Sequence, residues 1–69
     1  MEKYSFVGVD GNAFSIMGTV KRWMLDEGLS REDVDNYLND AKSGDYNHLL
    51  VVSMEMVEFL NEQYEEWDD

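Results

Sequence analysis

The sequence predicts a mainly α domain, with one short N-terminal β-strand followed by three helices. Three observations carry this expectation. Apolar residues recur at helical spacing in three separate stretches. Gly28 and Gly44 fall where two of those stretches end. Only residues 3–9 (KYSFVGV) have the aromatic and β-branched alternation of a strand.

The strand is expected over Lys3–Val9, and Asp10-Gly11-Asn12 then supplies turn and capping chemistry. The first helix is expected over 12–27. Ala13, Ile16, Met17, Val20 and Met24 form its apolar stripe, which Phe14 and Trp23 widen. Asn12 or Asp10 is its N-cap and Gly28 its C′ residue, while Gly18 reads as a point of close backbone approach. The second helix, 31–43, has the clearest start. Ser30 and Asp33 nearly match a capping box, and Leu29 and Val34 occupy the staple positions. Val34, Tyr37, Leu38 and Ala41 are its apolar face, and Gly44 ends it.

Asp45 caps the third helix, expected over 46–64, with an acidic tail at 65–69 that frays. Leu49, Val52, Met56, Leu60 and Tyr64 make its apolar line, thickened by Leu50, Met54, Val57 and Phe59. Residues 48–53 (HLLVVS) also fit a short buried strand, although helix is the better reading. A single strand has nothing to pair with inside the chain. Its backbone groups must find a partner, so Lys3–Val9 is expected to pair across a homodimer, on another sheet edge, or with 48–53 if that segment is a strand.

The chain has 69 residues, enough for one small domain. Lys+Arg number 5 against 16 Asp+Glu, a formal charge of −11. That charge alone suggests disorder, but an apolar content of 43 % and an aromatic content of 13 % point to a folded chain. No cysteine is present and there is one histidine, which excludes disulfides, thiolate zinc sites and a two-histidine metal pair. No metal or cofactor is expected. No apolar run approaches the length of a membrane span, and no secretory leader is visible, so a cytoplasmic chain is expected.

Two motifs, Val9-Asp10-Gly11-Asn12-Ala13-Phe14 and Ser43-Gly44-Asp45-Tyr46-Asn47-His48-Leu49-Leu50, resemble those of a group of small uncharacterised proteins from bacteria, phages and other mobile elements. The likeness covers most of residues 4–60. It implies a phage or mobile-element context, and it carries over no catalytic residue.

Asp10, Asn12 and Ser15 suggest a calcium loop, but positions 5, 6 and 12 of that loop would be Phe14, Ser15 and Lys21. A turn with an N-cap explains them better. Gly8-Val9-Asp10-Gly11 before a helix has the shape of a phosphate cradle, yet Asp10 lies in it and no cation is adjacent. Asp45 and His48 have acid–base potential, with capping and packing as the plainer explanation. Met17, Met24, Met54 and Met56 form either an adaptable surface or, more commonly, core.

The acids are the most informative feature. Glu55, Glu58, Glu62, Glu65, Glu66 and Asp69 fall on one helical stripe, and a second acidic set surrounds the second helix. From Ser43 onward there are eight acids and no Lys or Arg. A solvated helix face usually mixes signs. Successive carboxylates along the stripe stand ~4.5–6 Å apart on the axis, comparable to the spacing of phosphates along a nucleic-acid strand. Direct nucleic-acid binding is disfavoured, because such a chain repels phosphate.

The expected function is therefore a non-enzymatic acidic interaction protein. Its partner is a basic protein, in the sharpest form a nucleic-acid-binding host protein that the chain inhibits by mimicry, as anti-CRISPR or anti-restriction proteins do. The contact residues expected are Glu55, Glu58, Glu62, Glu65, Glu66 and Trp67. The rival is a structural homo-oligomer or regulatory subunit whose acids serve only solubility.

Overall fold

A computed structural model describes residues 3–67, with side chains for residues 3–63. Three helices follow one another: α1 (Ala13–Asp26), α2 (Arg31–Lys42) and α3 (Tyr46–Trp67). All three pairs pack together in a body of 37 × 27 × 15 Å. The thin third dimension leaves each helix a broad solvent face.

The helix boundaries follow from capping chemistry. The Asn12 side chain accepts from the Phe14 and Ser15 amides at 2.8 and 3.2 Å, so Asn12 is the cap and Asp10 supports it by accepting from the Asn12 amide. At the other end of α1 the Gly28 amide donates to the Leu25 carbonyl and the Leu29 amide to Met24. This is a Schellman closure, with Gly28 at φ +85°. Ser30 and Asp33 complete a reciprocal capping box for α2. Asp45 caps α3 through the His48 amide.

Gly44 ends α2 for a different reason. It does not adopt positive φ. A Cβ there would stand 2.8 Å from the Cβ and Cγ of His48, so the residue is glycine to admit the imidazole. Gly18 meets no neighbour within 4 Å, and the close approach expected of it is absent.

The core joins Ile16, Met17, Val20 and Met24 of α1 with Val34, Tyr37 and Ala41 of α2, and Leu49, Val57 and Leu60 of α3. Val20, Met24 and Leu60 are fully buried, each contributing about 1.5–3 kcal/mol through loss of apolar surface to water. Two polar residues of α3 sit among them. Ser53 is fully buried and its hydroxyl lies 2.6 Å from the Tyr37 hydroxyl.

The second polar core residue corrects the expected strand. Among the described residues there is none. The side-chain amide of Asn61 accepts from the Tyr4 amide at 2.8 Å and donates to the Tyr4 carbonyl at 3.0 Å. One carboxamide thus satisfies both backbone groups of Tyr4, as a neighbouring strand would. Extension ends at once in a turn closed by the Val9 amide on the Phe6 carbonyl, with Gly8 at φ +83°. Residues 3–9 form a strap over α1 and α3. Trp23 packs against both Tyr4 and Phe6, with ring centroids at 5.3 and 5.8 Å. The Tyr4 hydroxyl donates to Glu27, which also pairs with Lys3 at 3.2 Å. The edge expected to pair across a homodimer is thus taken up within the chain at Tyr4.

Residues 48–53 are helical throughout, as expected, and the short-strand alternative falls. Two further expectations need correction. Residues 65–67 extend α3 beyond the expected end at 64. Phe14, expected to widen the core stripe of α1, is 82 % exposed because it lies to one side of the Ile16–Met24 face.

Candidate interaction surface

The outer face of α3 is set by what the core takes from that helix. Leu49, Ser53, Val57, Leu60 and Asn61 point inward. The opposite side of the same helix presents Val51, Met54, Glu55, Glu58, Phe59 and Glu62, all exposed. Glu55, Glu58 and Glu62 span seven residues, about 10.5 Å of axis. None of the three has an ion pair or hydrogen bond. The structure thus brings three of the expected contact residues onto one open face. The side chains of Glu65, Glu66 and Trp67 lie outside the described residues, as does Asp69.

Exposed apolar residues are interleaved with these carboxylates. Val51 is 54 % exposed, Met54 61 % and Phe59 43 %. Met54 and Phe59 were expected to thicken the core. The signal that could have placed them correctly is angular: each lies well round the helix from Leu49, Ser53 and Leu60. The methionines divide accordingly. Met17 and Met24 are core, Met56 is half-buried and Met54 is at the surface.

Two grooves flank the face. On one side, residues 4–6 of the strap and Met54, Val57, Glu58, Asn61 and Glu62 line a shallow depression. On the other, α2 and α3 enclose a groove of about 630 Å³. Its floor is Leu29, Val52, Met56 and Phe59, and Asp33, Asp40 and Glu55 stand on its rim.

Half of the second acidic set, Glu27, Asp33 and Asp40 of Asp26, Glu27, Glu32, Asp33, Asp35 and Asp40, is engaged in side-chain hydrogen bonds. Glu27 accepts from Tyr4 and Lys3, and the Tyr4 hydroxyl above all holds its carboxyl below the usual range. Asp33 belongs to the capping box. Asp40 accepts from His48 Nε2 at 3.0 Å.

The His48 cluster has the composition of a catalytic triad and a different geometry. Its imidazole turns to Asp40, a partner the sequence reading did not single out, because Asp45 already receives the His48 amide. Nε2 also lies 2.9 Å from the Asp40 carbonyl and 3.3 Å from Ser43 Oγ, which itself donates to that carbonyl. Both close oxygens are acceptors, so Nε2 carries the proton. A relay needs the nucleophile on one ring nitrogen and the carboxylate on the other. Here one nitrogen serves every partner, and the arrangement is a cap on the C-terminus of α2. Asp40 raises the His48 pKa above its ordinary value, first through the side-chain hydrogen bond.

The loop before α1 commits two amides internally, Val9 to Phe6 and Asn12 to Asp10. That leaves it poorly suited to cradle a phosphate. Among the described residues no group of three or more His, Asp or Glu is arranged to hold a metal ion, and no helix is long and apolar enough to cross a membrane. No family model, curated protein or solved structure matches the chain.

Proposed function

We propose that this chain is a non-enzymatic, cytoplasmic interaction protein whose α3 outer face engages a basic protein. In its sharpest form it is a nucleic-acid mimic from a phage or mobile element, inhibiting a host DNA- or RNA-binding protein in the manner of anti-CRISPR or anti-restriction proteins. The observation that carries the reading is the state of Glu55, Glu58 and Glu62. They are exposed and unpaired on a continuous helix that bears no Lys or Arg. A row of carboxylates on a rigid axis steers a cationic groove at long range and then occupies it. Val51 and Phe59 beside them supply the apolar contact that anchors a protein partner after encounter.

The test is capture from a bacterial lysate at low salt followed by salt elution. Recovery of a cationic nucleic-acid-binding protein, its displacement by duplex DNA or RNA, and its loss with Glu55→Gln/Glu58→Gln/Glu62→Gln support the proposal. Capture unchanged by the triple variant refutes it.

A further inference from the structure

The groove between α2 and α3 extends this reading, because it is shaped for one kind of occupant. We infer that it binds a basic amphipathic helix of a partner protein, an inference that rests on the chain being an acidic interaction protein. Ser43-Gly44-Asp45 joins α2 to α3 as a tight helical hairpin, and the two helices form the groove walls. Val52, Met56 and Phe59 run along the α3 side at i, i+4 and i+7, and Leu29 closes one end. That is the spacing at which a docked helix presents its own anchors. Val52, Met56 and Leu29 remain only half-buried, and Phe59 is 43 % exposed, so the floor has apolar surface still to cover.

Charge selects the occupant. On α2, Asp33 and Asp40 stand seven residues apart, about 10.5 Å along the axis. Glu55 faces them from α3. Asp33 uses Oδ2 for its cap and Asp40 uses Oδ1 for His48, leaving the second oxygen of each carboxylate to accept from outside. The only cationic group in the lining is His48, and it is already turned to Asp40. Lysines or arginines flanking an apolar stripe meet this rim on both sides. A second copy of the chain meets it with a charge of −11. An extended peptide finds no strand edge to lengthen among the described residues. The twelve-residue α2 gives a groove about 18 Å long, room for roughly three turns of helix.

The probe is a fourteen-residue Leu/Lys peptide with leucines at helical spacing. It is compared with an oligolysine of equal charge by titration and by amide shift mapping. One-to-one saturation is expected, with shifts centred on Leu29, Val52, Met56 and Phe59. Phe59→Asp, at an exposed position, weakens binding by about tenfold or more through lost apolar burial. Asp26→Asn on α1, away from both the groove and the α3 face, leaves it within about twofold. Equal affinity for oligolysine, shifts centred on the strap side of α3, or binding unchanged by Phe59→Asp overturns the groove. So does sedimentation showing that the free chain dimerises through Phe59. The ridge reading fails separately, when lysate capture survives Glu58→Gln/Glu62→Gln while the peptide still seats in the groove.

Discussion

Asn61→Ala is expected to release the N-terminal strap and remove about half of the domain's stability. Asn61 is 8 % exposed and holds both backbone groups of Tyr4, at 2.8 and 3.0 Å. Removing the carboxamide orphans two buried polar groups, each at about 1–3 kcal/mol. The loss is bounded, because the strap can lift away and rehydrate. It then forfeits the burial of Tyr4, itself about 1.5–3 kcal/mol. The cheaper route sets the loss, at about 1.5–3 kcal/mol. A domain this small has roughly 3–5 kcal/mol in total. Urea unfolding gives the free energy, and amide exchange at Tyr4 gives the local opening. Trp23 emission reports strap release, because that indole packs on Tyr4 and Phe6. The Trp67→Phe background makes it the sole reporter. Asn61→Leu, which restores volume and no hydrogen bond, is expected to be nearly as damaging. A loss below about 0.5 kcal/mol with Tyr4 exchange unchanged refutes the reasoning, and so does full recovery in Asn61→Leu.

The glycines are expected to divide by mechanism in thermal melts. Gly28→Ala, at φ +85°, destabilises by about 1–2 kcal/mol; Gly44→Ala destabilises by about 1–3 kcal/mol by displacing His48; Gly18→Ala, in open helix, stabilises by up to about 1 kcal/mol. The His48 pKa is raised in the fold, so its contribution is complete below the ordinary value of 6.5 and is lost as pH rises through the folded value. Urea midpoints measured across that range should fall toward high pH, and His48→Gln should flatten the slope. Tyr37→Phe leaves the buried Ser53 hydroxyl without its partner and should cost about 1–2 kcal/mol, most of it recovered in Tyr37→Phe/Ser53→Ala. With a charge of −11, stability should rise with added sodium chloride as screening shortens from ~30 Å at 0.01 M to ~3 Å at 1 M.

The helices and their caps were legible in the sequence because capping is local chemistry. Asn12, Ser30 with Asp33, and Asp45 each act within three residues, and Gly28 acts on the turn it closes. The strap and the facing of α3 were hidden by one cause. Ser53 and Asn61 are polar residues at the centre of the α3 core face, and each is satisfied by a residue distant in sequence, Tyr37 and Tyr4. Read by hydropathy, they look like surface positions. The inferred apolar line therefore rotated toward Val52 and Met56 and drew Phe59 inward with it, while Met54, on the other flank beside Asn61, was taken inward on its hydropathy alone. The same unseen Asn61 contact made a lone strand look unpaired. Glu55, Glu58 and Glu62 share one exposed face, as their spacing implies, because the acids follow helical spacing whichever way the core turns.

The acids of this chain separate into those with an intramolecular role and those without one. Asp10, Glu27, Asp33, Asp40 and Asp45 each accept a hydrogen bond that shapes a turn, a cap or the strap. Glu32 and Asp33 also stand in the first turn of α2, where the helix dipole favours negative charge. Glu55, Glu58 and Glu62 have neither role, nor do Asp26 and Asp35, but only the three glutamates share one face of one helix. In the last turn of α3 the dipole opposes Glu65 and Glu66, and no basic residue stands there to offset them. Like charges four residues apart, as at 58 and 62, weaken a helix by a few tenths of a kcal/mol. A net charge of about 2–8 in magnitude is enough for solubility in a small domain, and −11 exceeds it; mixed signs on this helix would remove both penalties. The basic partner proposed above accounts for that cost, since it supplies the cation this helix lacks.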